Sequence, residues 1–175
     1  KFNFAPHKLD PVIKGIESIK NESEVPLIGF VGGPWTTLLY CLFDKEERSQ
    51  MNKDLIHKNE KRINNHIEDL TDIISNYAVQ QANAGIDAFQ IFESAAEDLE
   101  DEYFDRWCLK PTQKIIHSIK SKTDIPIIGF PRKTSKEGYV KYSNIDKLDC
   151  ISLDYDFDLD HINLSLIHIS EPTRR

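Results

Sequence analysis

The sequence has few cysteines, no long apolar run and no cluster of basic residues. Its three cysteines, Cys41, Cys108 and Cys150, lie far apart and form no Cys-x-x-Cys pair. This disfavours a disulfide scaffold or a cysteine-rich zinc site and favours a reducing cytoplasm. No stretch approaches the roughly 18 consecutive apolar residues of a membrane span. The net charge is −7 and no five consecutive residues are basic, so neither nucleic acid nor an anionic membrane is an expected partner.

Several motifs that would define a class of chemistry are also missing. No Gly-x-Gly-x-x-Gly follows a strand-like run, and no Lys-Ser/Thr follows Gly32-Gly33, so a tight turn explains this pair better than a phosphate-binding loop. Ser94 lacks the Gly-x-Ser-x-Gly frame of a nucleophile elbow, which favours a hydrogen-bonding or capping role. The alternating aspartates from Asp154 have Leu159 and Ser165 where a calcium loop needs Gly and Glu. The histidines show no metal-ligand spacing, so no metal site is expected.

What the sequence does contain is an alternation of strand-like and helix-like segments. Helical spacing of apolar residues begins after Asp10 and Pro11, predicted as N-cap and first helical residue. A long amphipathic helix is predicted over residues 59–84 and is closed by Gly85. Another helix is predicted to begin at Pro111. The remaining segments are a strand at 25–31 buried on both faces, a helix at 35–42, and strands at 86–92, 125–130 and 150–153.

Strands separated by helical crossovers predict a parallel α/β sheet with covering helices. A doubly wound open sheet and an eight-stranded (β/α)₈ barrel both fit this order. A (β/α)₈ TIM barrel takes about 250 residues, so this chain would form only a partial barrel. In either fold, ligands bind at the carboxyl ends of the strands. Three of the four predicted strands end in Phe, at Phe30, Phe92 and Phe130, which favours a flat and largely apolar ligand.

The two ends of the chain do not look like natural termini. Lys1 is followed by no basic-then-apolar leader, so no secretory signal is expected. We expect the sequence to start inside a longer protein. From Leu164 the sequence resembles a translated sequencing-library adapter over at least eleven residues. We therefore expect residues 1–163 to belong to one barrel domain and residues 164–175 to be a non-native tail.

Arg132 and Lys133, after the third strand, could bind an anion or lie in a solvated loop.

Four segments in order resemble the uroporphyrinogen decarboxylase family. The first is Pro-Leu-Ile-Gly-Phe-Val-Gly-Gly-Pro-Trp-Thr at residues 26–36, followed four residues later by Tyr40. The second spans residues 77–99 and includes Gln81, Ala84, Gly85 and Gln-Ile-Phe-Glu-Ser at 90–94. The other two are Pro-Ile-Ile-Gly-Phe at 126–130 and Ile-Ser-Leu-Asp-Tyr at 151–155. Together they extend the resemblance over nearly all of residues 1–163.

The resemblance implies a homodimeric cytoplasmic (β/α)₈ barrel that removes carbon dioxide from the four acetate side chains of uroporphyrinogen III, giving coproporphyrinogen III for porphyrin and haem synthesis. It implies no metal and no organic cofactor. It matches Tyr40 and Ser94 to hydroxyls that contact the substrate, and Phe30 and Phe92 to aromatic contacts with the macrocycle. The family's essential aspartate, arginines and late histidine would lie outside residues 1–163, so the chain alone is expected to be inactive.

The chain departs from the family at two loops, and two other functions stay open. Ser94 is followed by Ala95, Ala96 and Glu97 where the family often has Ser-x-Ala-Gly, and residues 131–133 match the third loop only in part, which leaves room for a different substrate. A zinc- and corrinoid-dependent methyltransferase of the same superfamily would need His-x-Cys where Gly129 and Pro131 stand. The other alternative is a non-catalytic barrel that binds tetrapyrroles.

Overall fold

The protein's structure, a computed structural model, describes residues 2, 5–97 and 99–157. It is an alternation of helices and short strands. A 3₁₀ turn at Pro6–Leu9 precedes α1. The helices are α1 (Asp10–Glu22), α2 (Pro34–Leu42), α3 (Lys45–Ser49), α4 (Lys53–Asn83), α5 (Asp101–Phe104), α6 (Lys110–Lys120) and α7 (Lys136–Ser143), with a π-helical turn, Asp105–Leu109, between α5 and α6. The strands are β1 (Ile28–Gly32), β2 (Ala88–Glu93), β3 (Ile127–Pro131) and β4 (Cys150–Ile151).

The four strands form one parallel sheet in the order β1-β2-β3-β4. Each strand pairs with the next along the chain, with Phe30 opposite Gln90 and Phe92 opposite Phe130. A doubly wound sheet reverses its strand order near the middle and carries helices on both faces. Here the order runs in one direction, as in a barrel wall. The predicted α/β class is confirmed, and of the two architectures the partial (β/α)₈ barrel is the one observed.

The two faces of the sheet differ in burial. On one face Phe89, Ile91 and Ile127 are fully buried; α4 packs against β1 and β2 and also contacts α6. On the other face Ile28 is 51% exposed and Phe30 is 64% exposed. The prediction that the first strand is buried on both faces is therefore wrong. A closed barrel would turn this second face toward its interior, and we call it the open face.

The predicted start of the first helix is displaced by one residue. The 3₁₀ turn at Pro6–Leu9 runs directly into α1, so Leu9 is the N-cap. Asp10 already has helical dihedral angles and Pro11 is the second helical residue. Asp10 therefore makes no capping hydrogen bond, because capping requires an extended residue outside the helix.

The long helix is confirmed but begins earlier than predicted. Asn52 accepts a hydrogen bond from the Leu55 backbone N–H at 3.0 Å, which caps α4 one residue before Lys53. Leu55 and Ile56 are the only apolar residues of this helix before Ile63, so apolar periodicity alone does not reveal its first turns. At the other end Gly85 has a φ of +97°, the left-handed conformation predicted for it.

Two further helical segments differ from the prediction. The helix expected to begin at Pro111 continues from Asp101 through the π-helical turn, so the proline lies two residues into α6. Helix α7 was not predicted, because it is short and has few apolar residues. Ser135 caps it by accepting a hydrogen bond from the Gly138 backbone N–H at 3.0 Å.

Within the described ranges, no helix combines the length and apolar character needed to cross a bilayer. The predicted non-native tail at residues 164–175 lies outside these ranges and stays a prediction. Leu159 and Ser165, the two positions that argued against a calcium loop, also lie outside the described residues.

Candidate functional site

Three phenylalanine rings form a row across the open face at the carboxyl end of the sheet. The centroids of Phe30 and Phe92 are 6.0 Å apart with the rings at 84°, and those of Phe92 and Phe130 are 6.1 Å apart at 89°. Edge-to-face pairs of this kind contribute about 0.5–1.5 kcal/mol each beyond the area that they bury. The row presents apolar ring edges and faces to whatever occupies the open face.

The edge strand of this row is fixed by α4. The Gln81 side chain, which is buried, accepts a hydrogen bond from the Phe30 backbone N–H at 3.2 Å and donates one to the Phe30 carbonyl at 3.0 Å. Its amide therefore pairs with β1 much as a neighbouring strand would. On the open face itself, Gln90 donates a hydrogen bond to the Ser152 hydroxyl at 3.4 Å, which adds a polar group beside the aromatic row.

A buried carboxylate lies at the end of β2. The side chain of Glu93 is fully buried and accepts hydrogen bonds from the Trp35 backbone N–H at 3.3 Å, the Thr36 backbone N–H at 2.6 Å and the Thr36 hydroxyl at 2.5 Å. These donors belong to the first turn of α2, where free N–H groups attract negative charge. Burial raises the pKa of Glu93 to about 7, and the hydrogen bonds from Thr36 and Trp35 oppose this rise.

The carboxylate explains why a glycine precedes α2. A Cβ atom on Gly33 would lie 2.3 Å from Glu93 Oε2, far closer than van der Waals contact permits. The Gly33 N–H also donates a hydrogen bond to the Phe92 carbonyl at 2.7 Å. The glycine therefore permits the close approach of β1 and β2 at the turn into α2, in agreement with the turn predicted for Gly32-Gly33.

A stack of aromatic rings supports the start of α2 from the core. The Trp35 and Trp107 rings are nearly parallel with centroids 5.1 Å apart, and the Tyr103 ring also stacks on Trp107, at 4.3 Å between centroids. Trp107 Nε1 donates a hydrogen bond to Asn64 Oδ1 at 2.8 Å, and Trp35 Nε1 donates one to the Ala95 carbonyl at 2.9 Å. Both indoles are thus fully packed and bonded, which makes the base of the site rigid.

At the loop after β3, two predicted anion-binding candidates have different surroundings. Lys133 Nζ forms an ion pair with Glu97 at 3.1 Å, which raises the lysine's pKa. Its backbone has a φ of +53°, and its N–H donates a hydrogen bond to Asp154 Oδ2 at 2.6 Å; the same oxygen accepts one from the Tyr139 hydroxyl. Arg132 is exposed. The two loops at which the chain differs from the family resemblance are therefore joined by the ion pair of Glu97 with Lys133.

The four predicted site residues are placed unequally. Phe30 and Phe92 meet in one aromatic pair, and Ser94 follows β2 immediately and is half-buried. Tyr40 lies on α2, is 66% exposed, and has the Arg48 guanidinium 4.2 Å from its ring centroid. The convergence of Tyr40 with the other three stays a prediction.

Sequence reasoning missed the structural roles of Thr36 and Glu93. Both lie inside recognised segments, but their contact depends on β1 and β2 being neighbours, which no local pattern reveals. Phe130 was noted only as a strand end, and the register now places it beside Phe92. The one available signal was that the third strand ends in the same residue type as the first two.

A parallel sheet whose strand order runs in one direction is the wall of a (β/α)₈ barrel, a class of protein whose ligands bind at the carboxyl ends of the strands. Comparison with known sequences gives the family. The family model described as uroporphyrinogen decarboxylase (URO-D) matches residues 2–169, and the chain belongs to this family. The resemblance found in the sequence is thereby confirmed.

Curated relatives agree with this assignment. The chain is 32% identical over 162 residues to the uroporphyrinogen decarboxylase of Wolbachia sp. subsp. Brugia malayi, covering 89% of this chain and 46% of the relative. It is 34% identical over 159 residues to that of Orientia tsutsugamushi, with coverage of 89% and 46%, and 36% identical over 137 residues to that of Neorickettsia sennetsu, with coverage of 78% and 41%. The chain spans about half the length of the curated relatives it matches.

Proposed function

We propose that this chain forms part of a uroporphyrinogen decarboxylase, an enzyme that converts uroporphyrinogen III to coproporphyrinogen III by removing carbon dioxide from four acetate side chains. The observation that carries this proposal is the row Phe30, Phe92 and Phe130 on the open face, next to Ser94, in a chain of this family. A tetrapyrrole is a broad ligand with apolar rings and charged edges. Such a ligand requires an apolar wall with a few hydroxyl groups at its border.

The chemistry of the reaction explains what this wall contributes. A pyrrole ring that is protonated on carbon accepts the electron pair released by the departing carboxylate, so the substrate supplies its own electron sink. The protein then needs to orient the macrocycle, deliver protons and stabilise charge. In this proposal Phe30 and Phe92 pack against the macrocycle, and Ser94 and Tyr40 donate hydrogen bonds to its carboxylates. The groups that move protons are expected outside residues 1–163, so the chain alone binds without turnover.

The proposal extends to the setting of the whole protein. Membership of the family supports a homodimer in the cytoplasm that acts without a metal or organic cofactor. Analytical ultracentrifugation of the full-length protein would measure its oligomeric state directly, and a monomer at micromolar concentration would contradict the dimer.

The experiment that tests the function is the reaction itself. Full-length protein is incubated with uroporphyrinogen III in the absence of oxygen, and coproporphyrinogen and carbon dioxide are measured. Phe30→Ala should lower kcat/KM about tenfold, because it removes one aromatic contact worth about 1 kcal/mol or more with the macrocycle. Ile19→Ala is the matched control, since Ile19 is 53% exposed but lies on α1, away from the open face.

Two results would contradict the proposal. One is a purified full-length protein that contains stoichiometric zinc, transfers methyl groups to a thiol and releases no carbon dioxide, which would favour the methyltransferase. The other is an equal loss of activity in Phe30→Ala and Ile19→Ala, which would show that the aromatic row has no special contact with the substrate.

A further inference from the structure

The first turn of α2 holds both chain neighbours of Ser94. On one side of Ser94, Glu93 accepts three hydrogen bonds from Trp35 and Thr36. On the other side, the Ala95 N–H donates to Thr36 Oγ1 at 3.1 Å, and the Ala95 carbonyl accepts from Trp35 Nε1 at 2.9 Å. Ser94 therefore lies between two residues that are each hydrogen-bonded to the same two residues of α2, Trp35 and Thr36.

The Thr36 hydroxyl is the part of this link that joins the two anchors. It donates its single hydrogen to Glu93 Oε1 at 2.5 Å, which leaves its oxygen to accept the Ala95 N–H. The order is thus Ala95 N–H to Thr36 O–H to Glu93 carboxylate. A valine has nearly the same shape as threonine but can make neither bond, so this position separates packing from hydrogen bonding.

Ser94 lies in the turn that directly follows β2, at the carboxyl end of the sheet. Within β2, Phe92 lies on the open face and Glu93 is buried on the helix side. Ser94 is half-buried. Fixing residues 93 and 95 therefore fixes the position from which the Ser94 side chain starts.

We infer that Thr36 is a positioning residue that, through its bridge between Glu93 and Ala95, holds the Ser94 hydroxyl where a substrate carboxylate binds. This inference rests on the proposed function, in which Ser94 contacts the substrate. A misplacement of about 1 Å in a group that orients a substrate can cost on the order of a hundredfold in rate. Thr36 needs no contact with the substrate to have such an effect.

The test compares two variants of the full-length protein in the uroporphyrinogen assay. Thr36→Val should lower kcat/KM about ten- to a hundredfold, while Thr36→Ser, which keeps the hydroxyl, should stay within about threefold of wild type. Amide hydrogen exchange at Ala95 should accelerate in Thr36→Val only. Should Thr36→Val not fold, Thr36→Ala removes the same hydroxyl and carries the same expectation.

A second measurement separates positioning from a general structural effect. In a Ser94→Ala background, Thr36→Val should cause little further loss, because the group that Thr36 positions is already gone. If the two losses multiply as independent effects do, Thr36 does not act through Ser94 and the inference is overturned. Absence of decarboxylation by the wild-type protein would refute the proposed function instead, so the two failures have different signatures.

Discussion

Replacing Glu93 with glutamine should change how the stability of the protein depends on pH. Glutamine has the shape of a protonated glutamate and stays neutral at every pH. Its carbonyl oxygen can still accept the two hydrogen bonds from Thr36 that Glu93 Oε1 accepts. Glu93→Gln is therefore close to wild type with the carboxyl group protonated, and the two proteins should differ mainly where wild type must ionise this group.

The magnitude follows from the pKa. Burial raises the pKa of Glu93 from 4.5 to about 7, so the folded protein binds this proton more tightly than the unfolded chain does. Between the two pKa values the folded protein holds a proton that the unfolded chain has lost, so the free energy of unfolding decreases as pH rises. This decrease begins near pH 4.5 and is complete above about pH 7. The two values correspond to about 3 kcal/mol of unfolding free energy.

The assay is urea unfolding followed by tryptophan fluorescence at several values from pH 5 to pH 8. The two proteins should be similar at pH 5, apart from the weak Trp35 N–H contact, and Glu93→Gln should be the more stable by up to about 3 kcal/mol at pH 8. All groups other than residue 93 are common to the two proteins, so their contributions cancel in the difference. Glu24→Gln, at an exposed carboxylate, is the control. Parallel stability curves for wild type and Glu93→Gln would refute the reasoning.

Two further substitutions test the local geometry by thermal unfolding. Gly33→Ala should destabilise the protein by about 1–3 kcal/mol, because its Cβ would meet the Glu93 carboxylate, whereas Gly15→Ala in the exposed part of α1 should stabilise it by about 0.5–1 kcal/mol. Equal effects at the two glycines would contradict the close approach at Gly33. Asn52→Ala should cost about 1 kcal/mol through loss of the α4 cap, and Asn52→Asp should cost little, since aspartate caps equally well; a loss in both variants would show that the cap is not the cause.

The sequence was sufficient for the order of the strands and of the long helices, because each strand is a short apolar run and each long helix has apolar residues at helical spacing. The burial of β1 could not be predicted in the same way. A continuous apolar run is typical of a strand covered on both faces, yet here Phe30 lies on the open face. An apolar residue that contacts a ligand and one that packs in the core look the same in the sequence. Only the geometry of the sheet shows which of the two a given residue is.

The predicted site residues were found by two signals, whereas the residues that support them were missed. Phe30, Phe92 and Ser94 lie at strand ends, where ligands bind in this class of fold, and the family resemblance matches them to substrate contacts, which stays a prediction. Gln81 was part of a recognised segment, but its pairing with the backbone of Phe30 depends on how α4 crosses β1. Helix α7 was absent from the prediction because its cap, Ser135, precedes a mostly polar segment.

The support of the site also explains why a glutamate is buried at the end of β2. An apolar residue there would avoid the cost of holding a carboxylate in the core, and by that measure Glu93 lowers stability at neutral pH. It would also leave the first N–H groups of α2 and the Thr36 hydroxyl without their acceptor. Glu93 thus lowers the free energy of unfolding but joins the end of β2 to the first turn of α2. Such a loss of stability is common at sites whose function depends on exact geometry. On this argument the Glu93 side chain is retained for the position of its neighbours, and substitutions that preserve its acceptor should be tolerated better than those that only fill its space.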